Sequence, residues 1–264
     1  MMGRMILFLA LFAVTLASEG HEQINYDEQN HWGDICITGE HQSPIDVPLP
    51  SSKVKVSAET PFLQLPMKNF KMTNLNNANT VKYSVNPDQT VAQVPWMENR
   101  EVTLMQLHLH WGDSAARGSE HLIGGKAFAA EAHLVTSYTD SDGSTKYMVF
   151  ARVFKAGKAN ALVELMIEGA KKENEDRKID SFDLSALYPA NSDIWKTYMG
   201  GLTTPPCSEV VHWVIVRKPL TISKRQLKQL RKMSLGHGDM PAMTRNWREI
   251  QPLNGRESTK YHRG

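Results

Sequence analysis

The sequence predicts a mainly β, α+β domain around a mostly antiparallel sheet, and three observations carry that expectation. Residues 81–85, 101–111, 126–137, 146–154 and 210–217 are rich in alternating apolar, β-branched and aromatic side chains, the pattern of strands with one buried face. Turn signals separate several of them: Asn86-Pro87, Asp142-Gly143 and Gly200-Gly201. Helical patterns are few, so the helices are expected to be short and peripheral to the strands.

Along the chain, the first element is an address. Arg4 precedes an apolar run over 5–16, then the small residues Ala17 and Ser18. The run is about a dozen residues, short of the roughly 20 that span a bilayer as a helix, so 1–18 is expected to be a secretory signal peptide rather than a membrane or core helix. The rest, 19–264, is expected to fold as one domain, because no repeat, low-complexity tract or long linker divides it. The net charge of +2, without an aromatic-interleaved basic patch, gives no sign of a nucleic-acid partner. Neither a second apolar span nor a hydrophobic tail over 256–264 suggests a membrane anchor.

The segment 101–111 carries the chain's most informative feature. Gln106, His108 and His110 alternate with Met105, Leu107 and Leu109, so on a strand both imidazoles leave the same face. His133 lies in the next strand segment, with Ala129, Glu131 and Val135 on its own face, and pairing the two strands brings a third ring nitrogen to the same point. Three neutral imidazoles suit Zn²⁺ with one position open for water, the arrangement of catalytic rather than structural zinc. His-x-His also occurs in cupins and copper-zinc superoxide dismutases, and a lone strand histidine is more often a hydrogen-bonded structural residue. The convergence of three is what favours a metal site.

Farther on, an Asn-capped helical pattern covers 160–170, a mixed-charge run over 171–178 reads as an exposed loop, and 223–233 reads as a surface helix with Leu227 and Leu230 inward. Between them, Leu202-Thr-Thr-Pro-Pro206 is a stiff turn able to aim the Thr203 hydroxyl. On the 210–217 strand, His212 alternates with Val211 and Trp213, so it is expected to face away from them. Cys36 and Cys207 are the only cysteines. In an exported protein they are expected to pair, closing a loop of roughly 170 residues worth about 5 kcal/mol on a chain-entropy account; two separate buried thiols are the alternative.

Taken in order, Gln42-Ser-Pro-Ile-Asp46, Gly118-Ser-Glu-His121, Glu131-Ala-His-Leu-Val135, Leu202-Thr-Thr-Pro-Pro206 and Asn246-Trp-Arg248 closely resemble the α-class carbonic anhydrases, over about 26–256. The resemblance implies a large, twisted, mostly antiparallel central sheet with short peripheral helices. It also implies zinc-dependent reversible hydration of carbon dioxide to bicarbonate, by attack of zinc-bound hydroxide. The zinc ligands map to His108, His110 and His133, and their outer partners to Gln106 for His108, Asn246 for His110 and Glu131 for His133. Thr203 and Glu120 map to the pair that orients the nucleophile, and Thr204 to a bicarbonate contact. Val135, Val149, Leu202, Val211 and Trp213 map to the apolar wall that receives carbon dioxide.

Tyr26 and Tyr198 resemble the tyrosines of the polar network near the site. Cys36 and Cys207 match the disulfide of exported members, and Ser43-Pro44 and Pro205-Pro206 match peptides held in cis. The chain departs from the family at Asn79, which stands where a proton-shuttle histidine is usual. Asparagine does not titrate, and Lys82 nearby, ordinarily near 10.4, is poorly matched to a relay at neutral pH. The expected product is a secreted, extracellular, monomeric enzyme limited by proton export. The alternative is a secreted binding or matrix protein that keeps the fold with little or no activity.

Overall fold

Alternation in the central segments becomes long paired strands in the computed structural model, which describes residues 24–49, 54–56, 67–77, 79–85, 90–94, 97–98, 100–170, 176–182, 187, 195–234 and 241–263. The expected leader and the Asn86-Pro87 turn lie outside the described residues. In chain order the elements are α1 (Ile35–Thr38), β1 (Asp46–Val47), β2 (Val54–Val56), β3 (Met67–Asn77), β4 (Thr80–Val85), β5 (Thr90–Val94), β6 (Arg100–Trp111), β7 (Leu122–Ile123), β8 (Ala130–Thr139) and β9 (Thr145–Ala156). They continue with α2 (Ala161–Ala170), β10 (Asp176–Phe182), β11 (Trp195–Gly200), β12 (Val211–Ile222), α3 (Lys224–Leu230) and β13 (Thr259–Arg263). An 11-stranded sheet runs β10-β3-β4-β6-β8-β9-β12-β11-β13-β2, with β5 beside β6. Among the described residues only β12 with β9 and β13 with β2 are parallel in it, so the mainly β, mostly antiparallel expectation holds. Among the described residues the helices are short.

Local chemistry explains the element ends. The β8–β9 hairpin turns at Asp142-Gly143, where Gly143 takes φ 81°, a left-handed conformation open to glycine without steric cost. In α2 the Asn160 side chain caps the helix, accepting from Leu162 N at 3.0 Å and Val163 N at 3.2 Å. Ser223 and Gln226 form a reciprocal capping box on α3. That helix ends at Leu230, earlier than the apolar pattern to 233 suggests. The strand expected from 126 starts at Ala130, because Lys126 instead pairs with Ile123 in a small bridge. The expected loop over 171–178 is corrected at its end: 176–178 belong to β10, which pairs antiparallel with β3.

The two faces of the sheet do different work. One face buries Val81, Tyr83, Leu107, Leu109, Trp111, Leu134, Phe150 and Val214 against Leu162, Val163, Met166 and Ile167 of α2, and against Leu227 and Leu230 of α3. Tyr83 ties the layers together by donating to Met166 O at 2.7 Å. Each such large side chain removed from water contributes on the order of 2 kcal/mol. The other face carries a second apolar cluster that includes Val135, Val149, Ala151, Val211, Trp213 and Ile215. Cys36 and Cys207 are joined, with Cα atoms 5.1 Å apart. Ser43-Pro44 and Pro205-Pro206 are both cis.

Candidate metal centre

Register builds the site. Cross-strand partners place Lys82, His108, His133, Ala151 and Ile215 in one row across β4, β6, β8, β9 and β12. The neighbouring row is Ser84, Gln106, Val135, Val149 and Trp213. Directly opposed residues share a face of the sheet, so His108 and His133 are neighbours, with His110 two residues along from His108. Each of the three histidines offers one nitrogen, and these nitrogens lie within 4.8 Å of one another.

Hydrogen bonds settle which nitrogen of the His110 and His133 rings looks inward. His110 Nδ1 lies 2.6 Å from Asn246 O; a carbonyl only accepts, so Nδ1 carries the proton and Nε2 keeps its lone pair. His133 Nε2 lies 2.8 Å from Glu131 Oε1, which leaves its Nδ1 lone pair facing the centre. His108 Nε2 is 3.2 Å from that His133 Nδ1. Two nitrogens bound tetrahedrally at about 2.0–2.1 Å from one zinc would be about 3.3 Å apart, close to this separation. His108 Nδ1, His110 Nε2 and Glu120 Oε2 are buried here without hydrogen-bond partners, a cost that a bound cation offsets at His110 Nε2 and Glu120. The donor set therefore fits zinc.

Electrostatics keep the rings neutral, as metal ligation requires. Burial pushes His110 down to about 4 against the opposing pull of the Asn246 carbonyl and Glu131. Burial and His110 lower His133, and burial together with His110, His133 and Lys82 holds His108 well below the ordinary histidine range. Burial alone would raise Glu131, yet His121 and His133 hold it well below the usual carboxylate range. An ionised Glu131 then orders a chain of contacts. His121 Nδ1 lies 2.7 Å from Glu131 Oε1, His121 Nε2 lies 2.7 Å from Tyr198 Oη, and Tyr198 Oη lies 2.9 Å from Ser43 Oγ.

Each remaining predicted residue has a definite place. Asn246, fully buried, is stapled to the end of β6: its Oδ1 accepts from Trp111 N at 2.6 Å and its Nδ2 donates to Leu109 O at 3.0 Å. Glu120 sits on the loop after β6, fixed by Ser119, whose hydroxyl accepts from Phe128 N at 3.0 Å and donates to His121 O at 2.8 Å. Gly118 makes this loop possible, since a Cβ there would collide with the Ala129 carbonyl. Glu120 Oε1 accepts from Arg248 N at 3.0 Å, and Oε2 stands 3.4 Å from His110 Nε2. Burial pushes the Glu120 pKa up to about 7, opposed by His133 and by hydrogen bonding from the Thr203 hydroxyl and the Arg248 amide.

Thr203 is buried on the loop after β11, which Leu202 N closes by donating to Ser208 O at 3.0 Å and the disulfide anchors at Cys207. Thr204, half-buried, borders it. Val135, Val149, Val211 and Trp213 fall in one buried cluster with Leu202 packed against it, and the Trp213 ring lies 4.9 Å from that of His133.

Gln106 shares the His108 face, but His108 Nδ1 has no hydrogen-bond partner, so the expected Gln106–His108 bond is not made. Tyr198 is buried, with its hydroxyl committed to His121 and Ser43, so it braces the wall behind His133. Asn79, half-buried, uses its side-chain oxygen to accept from Ile24 N at 2.6 Å. Tyr26 is also buried, and burial and then the Glu120 charge raise its pKa well above 10.0.

Spacing gives no individual roles to His121, Arg248 and Gln42. Arg248 donates to Gln42 Oε1 at 2.9 Å, Ser43 O at 2.8 Å and Cys36 O at 2.6 Å, clamping the N-terminal segment beneath Glu120. All three residues stood inside the recognised motifs, which was the available signal.

His212 lies on the strand face opposite Trp213, as its alternation implied, and burial lowers it to about 4. Above about pH 6.5 it is neutral in both folded and unfolded chains. Below that the unfolded chain takes up a proton that the folded one refuses, so stability falls from about pH 6.5 towards pH 4. After discounting for its partial exposure, the loss at pH 5 is about 1 kcal/mol. Urea unfolding of His212→Gln at pH 7 and pH 5 is expected to show a stability drop smaller than the parent's by about that amount; an equal drop would remove His212 as the cause.

Comparison with known proteins agrees with this geometry. The family model of eukaryotic-type carbonic anhydrases matches residues 27–261. The chain is 31% identical to carbonic anhydrase 3 of Bos taurus over 252 residues, covering 88% of this chain and 94% of that protein. It is likewise 31% identical over 248 residues to the Sus scrofa protein and 30% identical over 251 residues to the Homo sapiens one, both of the same name, with the same 88% and 94% coverage. With histidines converging beside an apolar wall and a family match across most of its length, this chain belongs to the eukaryotic-type carbonic anhydrases, enzymes of carbon dioxide hydration.

Proposed function

We propose that this enzyme hydrates carbon dioxide reversibly to bicarbonate and a proton at a zinc centre held by His108, His110 and His133. The observation that carries the reading is the convergence of three neutral ring nitrogens, two of them 3.2 Å apart, beside an apolar wall. A zinc ion there would lower the pKa of a bound water to about 7 and so supply the nucleophile. Val135, Val149, Leu202, Val211 and Trp213 offer an uncharged substrate a surface that competes poorly for water. Glu131 and the Asn246 carbonyl hold the protons on His133 Nε2 and His110 Nδ1, keeping the inward nitrogens unprotonated. Thr203 hands its hydroxyl proton towards Glu120 and keeps an oxygen lone pair for the attacking water, while Thr204 lies next to it for contact with bicarbonate.

Stopped-flow hydration by the purified chain before chelation, after chelation and after zinc is restored tests this reading. Chelator-sensitive activity recovered by zinc is the expected result. Folded, zinc-loaded protein without hydration would leave a binding or matrix role instead.

Proton export is the weak step, since Asn79 has no titratable group and its amide oxygen is engaged by Ile24 N. Turnover is expected to climb with imidazole-type buffer concentration. Asn79→His should raise turnover at low buffer by about tenfold while leaving kcat/KM near the parent's value. A parent whose turnover ignores buffer would contradict the argument. The leader-like 1–18 and the Cys36–Cys207 pairing support an exported protein working outside the cell.

A further inference from the structure

Lys82 occupies an unusual place for a cation. It stands opposite His108 in the β4–β6 pairing, so its side chain leaves the sheet on the face of the inward nitrogens, and its charge helps to lower the His108 pKa. Val81 and Tyr83, on the other face of the same strand, are buried in the core, whereas Lys82, Ser84, Gln106 and His108 are all half-buried. That contrast marks this end of the two rows as lining a hollow open to solvent. Among the described residues, the Lys82 ammonium has no hydrogen-bond or ion-pair partner. The two acids nearest the histidines, Glu120 and Glu131, lie behind them, fully buried and engaged with Arg248 N, His121 and His133. A cation lining a metal cavity, with no carboxylate among the described residues to neutralise it, favours anions there.

We propose that Lys82 makes this cavity anion-retaining, its ammonium attracting bicarbonate and holding competing monovalent anions beside the metal position. Carbon dioxide, being neutral, feels this charge little, so Lys82 discriminates between the two carbon species of the reaction. The inference rests on the metal-centre reading above.

Thiocyanate titrated into cobalt(II)-loaded full chain, at fixed pH and ionic strength and followed by the visible bands of the metal, tests it. Cobalt replaces zinc because the filled d-shell of zinc is spectroscopically silent. Lys82→Gln and Lys82→Met are each expected to weaken thiocyanate binding about fivefold, as suits one partly screened charge several ångströms away. Lys82→Arg should stay within about twofold of the parent, because it keeps the charge. Unchanged affinity in the neutral variants, with cobalt bands present, overturns the role of Lys82 and leaves the metal centre standing. A parent chain that develops no cobalt bands overturns the metal centre and this role together.

Discussion

His110→Ala is expected to abolish zinc retention and carbon dioxide hydration together. The His110 ring is held by a single hydrogen bond from Nδ1 to the Asn246 carbonyl, 2.6 Å long, and its Nε2 is buried with no partner of its own. Removing the ring therefore removes one of three ligands from a site that has only one other nitrogen contact, His108 with His133. Zinc measured after dialysis should fall from about one per chain to a small fraction, and hydration should drop by at least on the order of a thousandfold, because without the metal no water near pH 7 is acidic enough to react. The substitution also leaves the buried Asn246 carbonyl without its donor, at a cost of about 1–3 kcal/mol. Thermal unfolding of the variant therefore has to accompany the activity measurement.

A second cluster, His121, Glu131 and His133, also brings its ligand atoms within 4.8 Å, and the same experiment separates the two. In that cluster Glu131 already takes contacts from both rings and from His121 N, and His121 Nε2 is covered by Tyr198, so most of its ligand atoms are committed within the protein, and the one free His133 nitrogen, Nδ1, faces the other centre. Full zinc retention in His110→Ala, with loss of zinc in His121→Ala, would move the centre there.

The legible parts of this site are those that a strand's period of two makes local. His108 and His110 declare a shared face by spacing alone, and Glu131 with His133 does the same one strand away. The apolar wall was legible through the motif resemblance, and the structure collects it in one cluster. What spacing could not reveal are bonds between distant segments: Arg248 reaches Cys36 across 212 residues and Glu120 across 128, and such pairings leave no periodic trace.

The fold shows the same division. β12 runs on to Ile222 beyond the expected stop at 217, because a register irregularity between Val216 and Leu220 accommodates Pro219, which lacks a donor. β3 and β13 were not anticipated, since Met67–Asn77 and Thr259–Arg263 carry polar, weakly alternating sequences. Those strands owe their existence to backbone pairing with neighbours rather than to an apolar stripe of their own.

Thr203→Ala is expected to lower kcat/KM by about a hundredfold with zinc content unchanged, the scale seen when one positioned hydrogen-bonding group is removed from a reacting centre. The size of this loss depends on which way the Thr203 proton points. Hydrogen bonding from its hydroxyl is one of the influences drawing the Glu120 pKa down against burial, and an ionised carboxylate can only accept, so a Thr203 hydroxyl that turns its proton to Glu120 leaves an acceptor for the attacking water. An acceptor at that position fixes the direction from which oxygen presents its lone pair to the substrate carbon. Glu120 is itself held by Arg248 N at 3.0 Å, so the orientation is passed from a clamped backbone to the reacting atoms through two side chains. Thr203→Ser, which keeps the hydroxyl, should retain activity within about tenfold of the parent. Glu120→Gln should cost nearly as much as Thr203→Ala, because an amide can turn its NH₂ towards Thr203 and reverse the donor. If the two residues act as one unit, the double variant loses little more than either single one. Losses that multiply across the double variant would mean that Glu120 acts on the histidines alone, through its 3.4 Å approach to His110 Nε2, and that Thr203 orients water without it.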